Sequence, residues 1–173
     1  MFKNSRLALL IAALPLLFVI SGCGTSGYLR RADGSRIMGT ESFKQAANET
    51  INKYTRGQCN LYVQDLLRQY GISLPGLAED MIFSLKKSPD WKKIGMEEAN
   101  DRAGRAQIVL AVQLPPKPNT AAHVSFVLYN RDYKPGKLPN VIGTYILHET
   151  GLNYEFDLSK PPPVEFYYYK KIK

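Results

Sequence analysis

The sequence predicts an α+β domain, helical in its first half and built on an antiparallel sheet in its second. Two observations predict this. Between residues 40 and 105 apolar side chains recur at steps of three and four, the spacing of helices that bury one stripe. From Gln107 onward they gather in short runs rich in Val, Ile, Phe and Tyr, broken by Pro, Gly and Asn, which is the pattern of strands and turns. Helices grouped first and strands second form an α+β arrangement, and residues 40–173 are enough for one domain with its own core.

In chain order, Met1 to Gly22 is set apart from that domain. Lys3 and Arg6 precede an apolar run from Leu7 to Ile20, shorter than the about 20 residues a spanning helix needs, so the segment reads as an export signal. Ile20-Ser21-Gly22-Cys23 resembles the bacterial lipobox. The resemblance implies cleavage before Cys23 and lipid on its sulfur and new amino group, with the mature chain tethered to a membrane. Gly24, where an aspartate would direct retention elsewhere, points to the outer membrane of a Gram-negative envelope, facing the periplasm. An ordinary secretory signal followed by a chance cysteine is the other reading. Residues 23–39, rich in glycine, serine and arginine without periodicity, read as a flexible tether.

Thr40 is placed to cap a helix from Glu41 to about Tyr54, with Phe43, Ala47, Ile51 and Tyr54 inward. A second helix follows Gly57-Gln58-Cys59. Tyr62, Val63, Leu66, Leu67 and Tyr70 share the buried face with Cys59, and Gly71 ends the helix as its C′ residue. Thr55 to Gln58 has the form of a capping box with Thr55 as N-cap, which sets Cys59 within the first turn. Leu77 to Lys87 predicts a third helix with Met81, Ile82 and Leu85 inward, and Glu97 to Arg105 a short fourth. Four strands are expected at Gln107–Leu114, Ala122–Tyr129, Val141–Leu147 and Val164–Lys170, joined as a meander. On the second of them Val124, Phe126 and Leu128 alternate with His123, Ser125, Val127 and Tyr129, so both faces carry apolar groups, as expected for a strand inside a covered sheet.

The chain carries a formal net charge of +8. Removing Lys3 and Arg6 with the leader leaves 21 basic residues against 15 acidic. A surplus of this kind suits anionic partners in the envelope, lipid head groups or wall polymer, and export argues against nucleic acid. Of the two cysteines, lipid would occupy Cys23, leaving Cys59 as a single thiol in an oxidising compartment, where an odd cysteine signals reactivity or intermolecular pairing. No glycine-rich phosphate loop and no metal-ligand spacing is present, and two histidines with one free cysteine do not make a zinc site, so no cofactor or metal is expected.

Chemistry is expected at Cys59. A cysteine in the first turn of a helix meets unpaired backbone N–H groups and the positive end of the dipole, and both favour thiolate. Its competing role is that of a small core residue. Thiol chemistry at neutral pH also needs a base, and His123 at the start of a strand can supply it. Gly57 to Val63 resembles the cysteine box of the CHAP family, Tyr70-Gly71-Ile72-Ser73-Leu74-Pro75 the helix exit of the NlpC family, and Ala122-His123-Val124 the Gly-His-Val strand of both. The order, with the tyrosine-rich end Val164 to Tyr169, is also similar to small amidase effectors of type VI secretion.

These resemblances imply a papain-like fold and a thiol hydrolase of peptide bonds in peptidoglycan stems, without a cofactor, with Cys59 as nucleophile and His123 as base. Gln58, Asn60 and Ala122 depart from the NlpC pattern. The third polar group, which orients the imidazole, has four candidates in Asn140, Thr144, His148 and Glu149, with His148 preferred because one imidazole can hold another's tautomer. Trp91 and Tyr62 are candidates for a substrate groove, against the alternative of core anchors. The other functional reading is a lipoprotein of the same fold that binds wall fragments or a partner protein, with its chemistry weak or lost. The two part on whether the Cys59 sulfur and a His123 ring nitrogen lie within about 3–4 Å in an open groove.

Overall fold

The structure, a computed structural model, describes residues 29–30, 36–37, 39–115 and 121–171. The expected leader and Cys23, the expected site of lipid, lie outside the described residues. Within the expected tether, β1 (Leu29–Arg30) and β2 (Arg36–Ile37) pair as a short antiparallel ribbon. Then follow α1 (Gly39–Ile51), α2 (Cys59–Arg68), α3 (Ala78–Lys87), β3 (Trp91–Ile94), α4 (Met96–Gly104), β4 (Val109–Gln113), β5 (His123–Leu128), β6 (Asn140–Ile142), β7 (Glu149–Gly151), α5 (Leu152–Glu155) and β8 (Glu165–Tyr169). The architecture is α+β, as expected.

The large sheet is antiparallel throughout, in the order β3-β8-β4-β5-β6-β7. β4, β5 and β6 follow the expected meander and β7 extends it, but β8, expected to come next after β6, crosses back to pair with β4, and β3 covers its far edge. The sequence did not reveal β3 or β7. Both are short, and Lys92 and Lys93 point outward between buried Trp91 and Ile94, which gives β3 no alternating apolar signal.

Helices cover both faces. On one, α1, α2 and α3 pack Phe43, Ile51, Tyr62, Leu66, Met81 and their neighbours onto Leu110, Val112, Val124, Phe126, Leu128 and Ile142. On the other, α4 and α5 bring Ala99, Ala103, Leu152 and Phe156 onto Val109, Ala111, Val127 and Val141. Phe126 is the hinge of the first core. Its ring meets Phe43 at 5.5 Å and Tyr62 at 5.6 Å, both edge-on, the arrangement in which a ring's positive edge meets a negative face.

Local chemistry explains where α2 starts and stops. Gly71, at φ +70°, is its C′ residue: the Ile72 N–H donates to the Leu67 carbonyl at 3.1 Å and the Gly71 N–H to that of Arg68 at 3.0 Å, the two bonds of a Schellman motif. The start differs from expectation. Thr55 to Gln58 is a tight turn, closed by Gln58 N–H to Thr55 carbonyl at 3.2 Å with Gly57 at φ +89° in its third position, where only glycine is unstrained. Gln58, not Thr55, is the N-cap, and its side chain accepts the Thr55 N–H at 2.9 Å. Cys59 is therefore the first residue of the helix.

Candidate active site

That position gives Cys59 its character. α1, α3 and α4 each carry one or more acidic residues in the first turn, which answer the positive end of the helix; α2 carries none. The thiol is left as the group that faces the unpaired N–H donors. The backbone N–H groups of Asn60 and Val124 both donate to the sulfur. The second comes from β5, against which α2 packs.

His123 opens β5, paired across the sheet with Gln113. Its ring is hydrogen-bonded to the Cys59 thiol on one side. On the other, Nε2 lies 2.7 Å from Glu155 Oε2 and 3.1 Å from Ser125 Oγ. With Nε2 engaged by the carboxylate, Nδ1 is the nitrogen left for sulfur. The Phe156 ring packs edge-on at 4.9 Å and fixes the plane of the imidazole. The Cys59 thiol and the His123 ring thus interact directly, while the sulfur itself is covered, Cys59 being 5% exposed.

Glu155 is the third polar group, which corrects the preference for His148. His148 lies exposed in the turn between β6 and β7. Asn140 donates to Glu149 at 2.8 Å, and Glu149 is further paired with Lys44, so those two serve the β6–β7 edge. Thr144 is fully buried, and its hydroxyl has no hydrogen-bond partner among the described residues. The expected strand Val141–Leu147 breaks after Ile142; the chain turns, returns as β7, and α5 carries Glu155 back beneath the ring. Besides His123, the Glu155 carboxylate accepts the N–H groups of Ile146 at 2.8 Å and Tyr145 at 3.3 Å, and the Ser125 hydroxyl at 3.5 Å. A buried carboxylate needs such donors to stay ionised.

Glycine at 143 permits this approach. A Cβ there would fall 2.1 Å from Ser125 Oγ and 2.6 Å from Glu155 Oε2. Any side chain at 143 would force the carboxylate away from the imidazole. The signal for Glu155 was present in the sequence: Leu152, Glu155 and Phe156 share one helical stripe, and an acid on an apolar stripe must be paired inside.

Electrostatics follow from these contacts. For His123, burial pulls the imidazole toward neutrality, but the hydrogen bonds and charges of Cys59 and Glu155 outweigh it and push the ring up to about 9. Burial likewise opposes the Cys59 thiolate, and the His123 hydrogen bond and charge, with the two backbone N–H groups, more than offset it, so the thiol is lowered. Glu155 is lowered too, burial being outweighed by His123 and the two loop N–H groups. All three shifts favour the charged forms, a thiolate and an imidazolium backed by a carboxylate.

Tyr62 and Trp91 do not line a groove. Tyr62 is fully buried between α1 and β5, and Trp91 is 6% exposed against Tyr169 at 5.1 Å, on the far edge of the sheet from His123. Both are core anchors, because their positions on a buried helical stripe and a covered strand leave no open side. The cleft beside the site is formed elsewhere: a cavity of about 670 Å³ lined by Tyr145, Ile146, Tyr154, Glu155 and Phe156, among others. No group of three His, Cys, Asp or Glu side chains among the described residues could hold a metal ion. No protein-family profile and no curated protein matches the chain.

Proposed function

We propose that the protein is a papain-like thiol hydrolase, lipid-anchored through Cys23 in the cell envelope, that cleaves amide bonds in peptidoglycan stem peptides. The observation that carries the reading is the hydrogen-bonded series Cys59, His123, Glu155, with the nucleophile at the first position of a helix that has no acid in its first turn. The cysteine and histidine boxes resemble those of NlpC and CHAP enzymes and suggest the substrate, and the basic surplus suits an anionic wall polymer.

In this reading the Cys59 thiolate attacks the scissile carbonyl carbon, and the electron pair of the C=O bond moves to oxygen. The backbone N–H of Cys59, unpaired at the helix start, faces the oxyanion. The tetrahedral adduct collapses as the His123 imidazolium gives its proton to the leaving amine, which leaves a thioester. Water then attacks the thioester carbonyl while neutral His123 takes its proton, and collapse returns the carboxylic acid and the thiolate. Glu155 holds Nε2–H, so that Nδ1 always faces sulfur, and it stabilises the imidazolium between turnovers.

A second reading, a wall-binding lipoprotein with weak chemistry, draws on the 5% exposure of Cys59. Purified peptidoglycan incubated with the protein and with Cys59→Ala separates them: hydrolysis releases peptide fragments, identified by mass, only with the parent. Equal release from both, or none from either, ends the hydrolase reading. The anchor is tested by fatty-acid labelling, which is expected in the parent and lost in Cys23→Ser.

A further inference from the structure

Arg56 is placed with more care than an exposed arginine needs. It occupies the second position of the Thr55–Gln58 turn, three residues before Cys59, with the backbone fixed by the Gln58-to-Thr55 hydrogen bond and by Gly57 at φ +89°. Its Nε donates to the Tyr145 carbonyl at 2.9 Å, and its guanidinium carbon lies 4.9 Å from the centre of the Tyr145 ring. Tyr145 in turn donates its N–H to Glu155 and lines the cleft beside it. A chain of two contacts thus ties the guanidinium to the carboxylate that orients His123.

Its charge is not answered. Arg102 pairs with Glu98 and Arg68 with Asp65. Arg56 has no carboxylate partner among the described residues, and Tyr145 engages one of its five N–H donors. A guanidinium held on an aromatic face, with its terminal fork unpaired, is pre-organised for bidentate binding of a carboxylate, since the cost of ordering the side chain is already met by the fold.

We propose that Arg56 is a specificity-determining residue that anchors a free carboxylate of the bound peptide beside Tyr145, which lines the cleft. This rests on the hydrolase reading for the identity of the ligand as a peptide, and it narrows that class to peptides with a carboxylate close to the scissile bond. Neutral, fully amidated peptides are then poor ligands.

The test separates binding from hydrolysis. Two synthetic stem peptides, identical except that one ends in a carboxylate and the other in a carboxamide, are titrated calorimetrically into full-length Cys59→Ala, which keeps the site without turnover. The carboxylate peptide is expected to bind about 10- to 100-fold more tightly, the discrimination of a charge-assisted bidentate pair. Adding Arg56→Gln is expected to bring the ratio close to one, and Arg56→Lys to restore only part of it. Equal affinities in Cys59→Ala, absence of binding by both peptides, or an equal weakening of both by Arg56→Gln would overturn the proposal; the last would make Arg56 only a clasp between two loops. If the parent cuts neither peptide the hydrolase reading fails, while the affinity ratio still decides the role of Arg56.

Discussion

The two faces of β5 divide the work of the molecule. Val124, Phe126 and Leu128 look into a core closed by three helices, apolar apart from groups such as the Tyr62 hydroxyl and the Cys59 thiol at its margin, and its main contribution is stability. On the other face, His123 and Ser125 meet Glu155 within hydrogen-bond distance, and only Val127 joins the apolar cluster under α4 and α5. Adjacent residues of one strand therefore live under opposite rules. A face that buries hydrocarbon tolerates any group of the right size, whereas a face that buries charge must satisfy each donor and acceptor. Stability is expected to be spread over the first face, and function to be concentrated where the polar groups of the second meet Cys59 at the start of β5.

The sharpest way to break this division is to remove its reactive atom. Cys59→Ala is expected to abolish peptide hydrolysis, a loss of about 10⁴-fold or more in kcat/KM, and to cost about 1 kcal/mol of stability for the lost sulfur packing. Rate assays on wall peptides and chemical denaturation measure the two. A variant that melts far below the parent, or that still cuts, would return Cys59 to the core. Phe126→Ala makes the converse change on the first face. Truncating a fully buried ring that touches Phe43 and Tyr62 is expected to cost about 3–5 kcal/mol, while the fraction that remains folded keeps the parent's kcat/KM.

Glu155→Gln tests the polar face without changing its shape. Loss of the carboxylate is expected to lower kcat/KM by about 10²-fold and to reshape the pH profile. In the parent, activity is expected to fall on the alkaline side as His123 loses its proton near pH 9, and on the acid side as the Cys59 thiolate is protonated below the ordinary thiol range. Glu155 raises the His123 value, so removing its charge moves the alkaline limb down. An alkaline limb that stays where it was would mean that Glu155 does not act on His123.

Alkylation of Cys59 by iodoacetamide reads the same coupling from the thiol. The midpoint in the parent is expected below that of a free cysteine. His123→Ala removes the hydrogen bond and charge that offset burial, so its midpoint is expected to rise and the rate at neutral pH to fall. Identical profiles would separate the two residues. The smallest effect belongs to His148→Ala, an exposed turn residue, expected to change stability by less than about 0.5 kcal/mol and leave the pH profile unmoved.

By itself the sequence determined the local elements: α2 with Cys59 at its opening and the Gly71 stop, the inward stripes of α1 and α3, and β4, β5 and β8, because each depends on periodicity or on backbone chemistry that neighbouring residues supply. It also marked Cys59 and His123, through residue type and position in their elements. Tertiary structure alone decided three things. It put β8 between β3 and β4, a pairing across the length of the chain that no local pattern encodes. It made Trp91 and Tyr62 core, since burial of an aromatic depends on what covers it. And it chose Glu155 over His148, because the residue that orients an imidazole is set by where the chain returns after Ile142, by the room left at Gly143, and by the loop N–H groups of Tyr145 and Ile146 that keep a buried carboxylate charged.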